Sequence, residues 1–302
     1  MGWLRGGGAA PGRRPCLGWR AVRPRRRLEA ECEPTMTPTE RRVRRRVANL
    51  LRVLRQRNAE LTTAPRAREQ PRHFAAAGLA RCRALLEGMY LLAAPRGRPD
   101  AVGVLLRSLV ETWAISVFVL LKRRQAILEL APAAKVGLQR LIDAFDGPTP
   151  GAQKWLARFE SLAQKSPVRY RKGARKGQPR PLSIAEVFEQ VQTLAARSAD
   201  SGLARSAKHA HNRIWKVESY VSTHPNLSSI VIPYIDQKAE PWTIIDRPEG
   251  WMPLEDMLVG GGLLTGMLAS LVYEAFGYRK EPISQLLKGI HVGRVAATVP
   301  SA

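Results

Sequence analysis

Apolar residues recur every three or four positions along most of this chain, which is the spacing that gathers them on one side of an α-helix. Charged and polar residues fill most of the positions between them. The pattern predicts helices over residues 38–62, 68–93, 133–146, 151–165, 183–197, 202–223, 253–278 and 281–290. We therefore predict an all-α fold in which a single multi-helix bundle spans residues 36–291.

The segment 100–121 has a different pattern, because apolar residues occupy every side of the predicted helix. A helix of this kind lies inside a bundle, so we predict a buried central helix over about 100–130. Its apolar run of about 21 residues is long enough to cross a bilayer. However, Arg107 and Glu111 near its middle would be costly in lipid. We therefore predict no transmembrane segment.

β-branched residues interrupt the helical pattern between residues 226 and 249. The stretches S-S-I-V-I-P-Y-I and P-W-T-I-I-D are short, and each contains a proline. Because proline cannot donate a hydrogen bond to a neighbouring strand, Pro233 and Pro241 argue against a strand in the centre of a sheet. We predict a short extended or hairpin insertion near residues 226–249.

Positive charge is concentrated in three segments of the sequence. The chain has 49 Lys and Arg residues against 25 Asp and Glu, a formal net charge of +24. The segments 1–27, 36–60 and 166–181 hold 22 basic and two acidic residues, so they carry 20 of the 24 net charges. This concentration indicates RNA or another polyanion as a partner, although a GC-rich coding sequence would also raise the Arg content.

The two ends of the chain lack the helical pattern. Residues 1–35 are rich in Gly, Pro and Arg, a composition typical of disorder, so we predict a disordered basic tail. Met36 is an alternative first residue of the protein, because it directly precedes a capping box, formed by Thr37 and Glu40, that begins the first helix. Residues 1–35 would in that case reflect a misplaced start codon. A second disordered tail is predicted over residues 292–302.

The sequence lacks the motifs of common cofactors and metals. It has no P-loop, no glycine fingerprint for a dinucleotide, no H-E-x-x-H and no G-x-S-x-G. Cys16, Cys32 and Cys82 form no C-x-x-C pair, so neither a zinc site nor a disulfide framework is indicated. His209 and His211 lie two residues apart and would point in different directions from a helix, so we expect a surface-exposed pair and not a metal site. We therefore expect no cofactor, no metal and a reducing cytoplasmic compartment.

Arg107 and Glu111 of the central helix are the main candidates for a functional site. They are four residues apart and so share one side of the helix, where a buried charge needs a partner. Tyr220 and His224 are also four apart, at the end of the predicted helix 202–223. A carboxylate next to a histidine suits general acid and base catalysis, and an arginine can hold a phosphate. The same four residues would also suit a structural network that joins two core helices.

Two short segments resemble a bacterial all-helical family of unknown function. They are R-S-L-V-E-T, which begins at Arg107, and Y-V-S-T-H-P, which begins at Tyr220. That family has an R-S-x-x-E helix and a helix end of the form Y-x-x-S-x-x-H-P. The resemblance covers roughly residues 75–275. In this chain Ser222 lies one residue closer to both Tyr220 and His224 than in the family pattern. The resemblance implies a helical bundle but no activity.

The chain is also similar in general shape to helical proteins of the HEPN type, whose signature is an Arg followed by four to six residues and then a His. Arg66 or Arg68 with His73, and Arg205 with His211, have that spacing. The similarity implies a metal-independent ribonuclease. Whether the protein is an enzyme stays open at this point.

A basic loop over residues 166–181 is the second candidate site. Proteins that bind single-stranded nucleic acid usually combine cations with several aromatic residues. This loop has one aromatic residue, Tyr170. A solvated loop without a ligand is the alternative. The cations that we expect to bind phosphates without sequence preference are Arg171, Lys172, Arg175 and Lys176.

For function, we expect a cytoplasmic bacterial protein that acts as a binding or regulatory module and contacts nucleic acid through its basic segments. The alternative is a metal-independent HEPN-like ribonuclease. In that enzyme His224 would be the base, Glu111 would orient it and Arg107 would stabilise the phosphorane. The two functions differ in whether RNA is only bound or also degraded.

Overall fold

The computed structural model consists mainly of packed helices, which confirms the all-α prediction. The described residues are 36–63, 70–93, 99–144, 149–198, 200–218, 235–236, 243–244 and 252–290. The helices are α1 Pro38–Thr63, α2 Gln70–Leu92, α3 Pro99–Lys122, α4 Arg124–Ala144, α5 Pro150–Gln164, α6 Ile184–Arg197, α7 Ser201–His209, α8 Lys216–Glu218, α9 Leu254–Ala275 and α10 Glu281–Ile290. A π-helical segment, Ala210–Trp215, joins α7 to α8. The two predicted tails, 1–35 and 292–302, lie outside the described residues.

α3 lies at the centre of the bundle, as its apolar pattern predicts. It packs against α2, α4, α6, α9 and the π-helical segment. Trp113 and Phe118 of α3 are fully buried. Burying one such side chain stabilises a fold by about 1.5–3 kcal/mol, so α3 makes a large contribution to the core.

The central helix ends earlier than predicted, at Lys122. Arg123 adopts a left-handed backbone conformation with a φ of 54°, which costs an L-residue about 1–2 kcal/mol. The turn allows Lys122 Nζ to donate to Glu129 Oε2 and to Gln190 Oε1, both at 2.8 Å. Because Glu129 is buried, its carboxylate requires this partner. The ion pair therefore lies directly beside the break in the helix.

As a consequence, α4 begins before the predicted start and contains Pro132 in its interior. A proline usually ends a helix, because it lacks an amide hydrogen and its ring clashes with the preceding turn. Here Pro132 is buried next to the buried Ala131. Burial of the apolar ring offsets part of the cost of the missing hydrogen bond.

Two glycines allow neighbouring helices to approach closely. A Cβ atom added at Gly78 of α2 would lie 1.8 Å from Ser116 Oγ of α3. A Cβ atom added at Gly261 of α9 would lie 3.1 Å from Met89 Cε of α2. A larger side chain at Gly78 would therefore overlap with Ser116, whereas one at Gly261 would require the Met89 side chain to shift by a few tenths of an ångström.

α4 and α5 pack against each other, and α5 then leads into the basic loop that precedes α6. Lys135 Nζ of α4 donates to Glu160 Oε1 of α5 at 2.5 Å. Ala163 of α5 is buried, whereas most other residues of this helix keep exposed or half-buried side chains. α5 thus has one packed side and a wide solvent-facing side.

Two short strands lie where an extended or hairpin insertion was predicted. β1 Ile235–Asp236 and β2 Thr243–Ile244 pair antiparallel, with Ile235 opposite Ile244. The pairing agrees with a hairpin for these four residues. The rest of 226–249 lies outside the described residues.

Two of the described helices, α3 and α9, are long and apolar enough to cross a membrane by length and composition alone. Half of the apolar stretch in α3, and more than half in α9, is buried inside the bundle. Core helices of soluble proteins have the same properties. The absence of a transmembrane segment stays a prediction.

Candidate functional site

The predicted pair of Arg107 and Glu111 forms on α3. Arg107 Nε donates to Glu111 Oε1 at 3.0 Å. The two side chains keep 17% and 33% of their surface exposed. The pair therefore lies at the margin of the core, neither sealed inside it nor free in solvent.

Trp215, at the end of the π-helical segment, is a partner of this pair that the sequence did not reveal. Its indole Nε1 donates to Glu111 Oε1 at 2.9 Å, and its ring centroid lies 6.0 Å from Arg107 Cζ. One carboxylate oxygen therefore accepts hydrogen bonds from a cation and an indole. Because Trp215 follows Glu111 by 104 residues, no local spacing could have identified it.

The π-helical segment differs from the uninterrupted helix predicted over 202–223, and it supports an aromatic cluster. The His211 ring stacks on the Phe188 ring of α6, with centroids 4.9 Å apart and planes 7° apart. The Trp215 ring lies 5.5 Å from His211 and 5.8 Å from Phe188. π-helical turns occur frequently at functional sites. Here the three rings fix the position from which Trp215 reaches Glu111.

His211 is held as a neutral base inside this cluster. Its side chain is only 6% exposed, and Gln192 Nε2 lies 3.3 Å from its Nδ1. The donor and acceptor in this contact depend on the tautomer of the ring. Burial, followed by the nearby charge of Lys216, lowers the pKa of His211 below its ordinary value. Nε2 has no hydrogen-bond partner within the described part of the chain.

Tyr220 and His224, the other two predicted members of this site, lie outside the described residues. Their contact with Arg107 and Glu111 stays a prediction. The described chain of this region ends with α8, at Glu218.

The Arg and His residues with HEPN-type spacing have different surroundings where the structure describes them. Arg205 is exposed and its Nε donates to the Ser201 carbonyl at 3.2 Å, whereas His211 is buried against Phe188. His73 is exposed. Arg66 and Arg68 lie outside the described residues. The spacing alone therefore does not create a shared site for Arg205 and His211.

No group of three or more His, Cys, Asp or Glu side chains in the described ranges is placed to hold a metal ion. His209 is exposed, as expected, but His211 is buried, so the expectation of a surface-exposed pair is wrong for His211, whose ring packs on Phe188. Cys82 is buried, and its thiol donates to the Leu109 carbonyl with a distance of 3.7 Å. Burial raises the pKa of Cys82 to about 12. The thiol therefore stays protonated at neutral pH and is a poor nucleophile.

The basic loop folds into a closed hairpin over residues 168–180, called the basic hairpin below. Gly173 and Gly177 have φ angles of 80° and 81°, a conformation that favours glycine. Backbone hydrogen bonds of 2.9–3.0 Å join the two sides of the hairpin, from Arg180 to Val168, from Tyr170 to Gln178 and from Gly177 to Tyr170.

Side chains attach the basic hairpin to the helices on both of its sides. Arg169 donates through Nη1 to the Gly177 carbonyl at 2.6 Å and through Nη2 to the Gln164 carbonyl of α5 at 2.8 Å. Arg180 Nη1 donates to Glu186 Oε2 of α6 at 3.0 Å. The hydrogen bond from Arg180 lowers the pKa of Glu186 to about 2. The hairpin is thus fixed to the bundle at its base.

The four cations predicted to bind phosphate lie together in this hairpin, and all of them are exposed. No acidic residue occurs between residues 161 and 185. The Arg175 guanidinium lies 6.0 Å from the centre of the Tyr170 ring. The hairpin therefore presents positive charge that no neighbouring carboxylate in its own segment neutralises. The four residues are Arg171, Lys172, Arg175 and Lys176.

Comparison with known proteins gave no matching family model, no matching curated protein and no matching solved structure.

Proposed function

We propose that this protein binds RNA through the basic hairpin. The observation that supports the proposal is the hairpin itself: backbone and side-chain hydrogen bonds hold it in one conformation, and its four exposed cations lack acidic neighbours in the sequence. A preformed loop loses less conformational freedom on binding than a mobile one. The charges are therefore available to a phosphate backbone at low entropic cost.

The composition of the hairpin favours RNA over an anionic membrane surface. Its exposed part, residues 171–178, reads R-K-G-A-R-K-G-Q and contains no large apolar side chain. Peripheral membrane binding usually adds burial of apolar residues to charge attraction. A phosphate backbone requires only the cations.

The salt dependence of binding tests the proposal quantitatively. For a single strand, the logarithm of the affinity falls by about 0.7 per phosphate contact for each tenfold increase in salt. Four contacts therefore predict a loss of about 50-fold between 50 and 200 mM salt. The measurement is fluorescence anisotropy of labelled RNA titrated with purified protein at several salt concentrations.

Neutralising the hairpin should remove this dependence. We expect a variant with Arg171, Lys172, Arg175 and Lys176 all replaced by Gln to bind weakly and with a much smaller salt slope. A control variant loses the same charge from exposed cations elsewhere, by replacement of Arg81, Arg140, Arg197 and Lys208 with Gln. Equal RNA affinities of the two variants would show that net charge, rather than the hairpin, is responsible.

A ribonuclease activity at Arg107 and Glu111 is the second function that we propose. Its support is the position of the pair, which retains solvent access while Trp215 orients the carboxylate. In this proposal His224 acts as the base, Glu111 orients it and Arg107 stabilises the phosphorane. The full-length protein should then degrade RNA in the presence of EDTA.

The variant His224→Ala separates this activity from a structural role. We expect it to abolish RNA degradation while the melting temperature stays the same. Intact RNA after incubation with the wild-type protein, or a large fall in melting temperature of the variant, would contradict the ribonuclease proposal and leave RNA binding by the basic hairpin untouched.

A further inference from the structure

One exposed side of α5 carries a row of cations that leads into the basic hairpin. Lys154 and Arg158 are four residues apart, and Lys165, the C-cap residue directly after α5, follows seven residues later. By helix geometry the three positions lie within about 40° of one another around the helix axis. All three are exposed. The single acidic residue of α5, Glu160, pairs with Lys135 of α4. This cationic row, about 16 Å long, therefore has no carboxylate of its own helix beside it.

Arg169 makes the cationic row and the basic hairpin parts of one surface. It binds the Gln164 carbonyl in the last turn of α5 and the Gly177 carbonyl of the hairpin at the same time. The hairpin therefore keeps a fixed position next to the end of α5. An extended polyanion that contacts the hairpin can continue along the helix.

Trp155 is an exposed aromatic residue next to the cationic row. The side chain keeps 44% of its surface exposed, although tryptophan is usually well buried. Its ring stacks with Phe159, with centroids 5.6 Å apart and planes 29° apart, and Arg158 Cζ lies 5.1 Å from its centroid. These two neighbours hold the indole in place while much of its surface stays accessible.

We propose that α5 and the basic hairpin together bind single-stranded RNA and that Trp155 stacks on an unpaired base. The proposal rests on the RNA binding proposed above and adds which form of RNA is recognised. Proteins that hold single strands combine a cationic track with aromatic rings for the bases. In a duplex the base faces are covered by their neighbours, so stacking on Trp155 requires a single strand.

The basic loop contains few aromatic residues of its own. Tyr170 is the single aromatic side chain of that loop, and its ring lies near Arg175. The second aromatic residue comes from the preceding helix, 15 positions earlier in the sequence. The fold therefore provides a combination that the loop lacks.

Three probes test the proposal on the full-length protein: an adenosine-rich single-stranded RNA, the same sequence in a duplex, and inorganic polyphosphate, which has the charge but no bases. We expect Trp155→Leu to weaken single-strand binding by about 5- to 150-fold, the effect of losing one stacked base. Polyphosphate binding should not change. Trp155→Phe should restore most of the affinity for the single strand, because it restores an aromatic face.

The control variant is Leu141→Ala, which removes an exposed apolar side chain from α4; it should bind all three probes like the wild type. Wild-type affinity of Trp155→Leu for the single strand, or an equal loss for polyphosphate, would overturn the stacking proposal. If either result occurs while the fourfold Gln variant of the hairpin has lost RNA binding in the same assay, RNA binding by the basic hairpin still stands. Failure of the wild-type protein to bind RNA would overturn both.

Vesicles of phosphatidylglycerol provide the remaining comparison, because an exposed indole can also enter a lipid interface. We expect no Trp155-dependent binding to such vesicles. Vesicle binding that requires Trp155, together with RNA binding that does not, would assign this surface to a membrane and overturn the proposal.

Discussion

The substitution Glu111→Gln tests whether the network of Arg107, Glu111 and Trp215 stabilises the protein. Glutamine keeps an oxygen that can accept the hydrogen bond from Trp215 Nε1 but removes the negative charge. Arg107 then loses its ion-pair partner while its side chain stays mostly buried. The change therefore isolates the contribution of the charge with little alteration of shape.

The expected magnitude follows from the partial exposure of the pair. Exposed ion pairs contribute about 0.2–1 kcal/mol, whereas hydrogen bonds to charged groups contribute about 1.5–3 kcal/mol. Glu111 accepts one hydrogen bond from a cation and one from an indole, and it keeps a third of its surface exposed. We expect Glu111→Gln to lower the free energy of unfolding by about 1–2 kcal/mol.

Urea denaturation followed by circular dichroism measures this change. The matched control is Glu87→Gln, which makes the same chemical change where the carboxylate is equally exposed but its partner, Arg55 of α1, is much more exposed than Arg107; its effect should stay within about 0.5 kcal/mol. The double variant with Trp215→Phe provides the coupling energy between the carboxylate and the indole. Residues in direct contact couple by about 0.5–3 kcal/mol.

A Glu111→Gln variant as stable as the wild type, with no coupling to Trp215, would refute the structural interpretation. The carboxylate would then be present without a benefit to stability, which is typical of residues that serve activity. A loss within the expected range would instead identify the network as a link between α3 and the π-helical segment.

Three further predictions concern other parts of the bundle. Glu186 has a pKa well below its ordinary value because of Arg180. Its contribution to the free energy of unfolding should therefore be complete above pH 4.5 and disappear as the pH falls toward 2. In urea denaturation at different pH values, Glu186→Gln should flatten this part of the stability curve. The pKa of His211 is lowered, so the folded state binds the proton less well than the unfolded state, and stability should fall as the pH decreases below about 6.5. His211→Phe can keep the ring stack and should make stability depend less on pH in this range. An unchanged pH dependence would show that other titrating groups cause it. Gly78→Ala should lower stability by about 1–3 kcal/mol through overpacking, and the added change Ser116→Gly, which clears the space, should recover most of the loss in thermal denaturation.

Much of the fold was predictable, because helix formation depends on local patterns. The apolar residues on every side of the segment 100–121 identified α3 as the buried centre of the bundle. The capping box at Thr37 and Glu40 is formed, with the Glu40 amide donating to Thr37 Oγ1 at 3.1 Å. The capping box depends on two residues three positions apart, and the burial of α3 depends on one continuous stretch of sequence. Sequence spacing is sufficient to identify such features.

The features that were missed depend on contacts between distant parts of the chain. The break at Arg123 is compensated by an ion pair of Lys122 with the buried Glu129, and Gln190 completes it from another helix. Pro132 stays inside α4 because its ring is buried. In both cases tertiary packing outweighs a local preference that would have placed the break elsewhere.

The candidate site was predictable in part for the same reason. Arg107 and Glu111 are neighbours on one helix, so their pairing follows from a spacing of four. Trp215 and Phe188 reach this region from separate helices and could not be assigned to it before the fold was known. For Trp155, the relation to the basic hairpin becomes visible only when α5 and the hairpin are seen as one surface.

The π-helical segment Ala210–Trp215 has a consequence for the angular phase of the helix that contains it. A π-helical turn includes about one residue more than an α-helical turn, so it shifts every later side chain by roughly 100° around the axis relative to an uninterrupted helix. A helical wheel drawn from Ser201 therefore places the three residues of α8, Lys216–Glu218, about 100° away from their actual direction. Deleting one residue from this segment would restore the α-helical phase and turn Trp215 away from Glu111. In alignments with related sequences, a gap of one residue in this segment would mark chains that lack the link between the indole and the carboxylate.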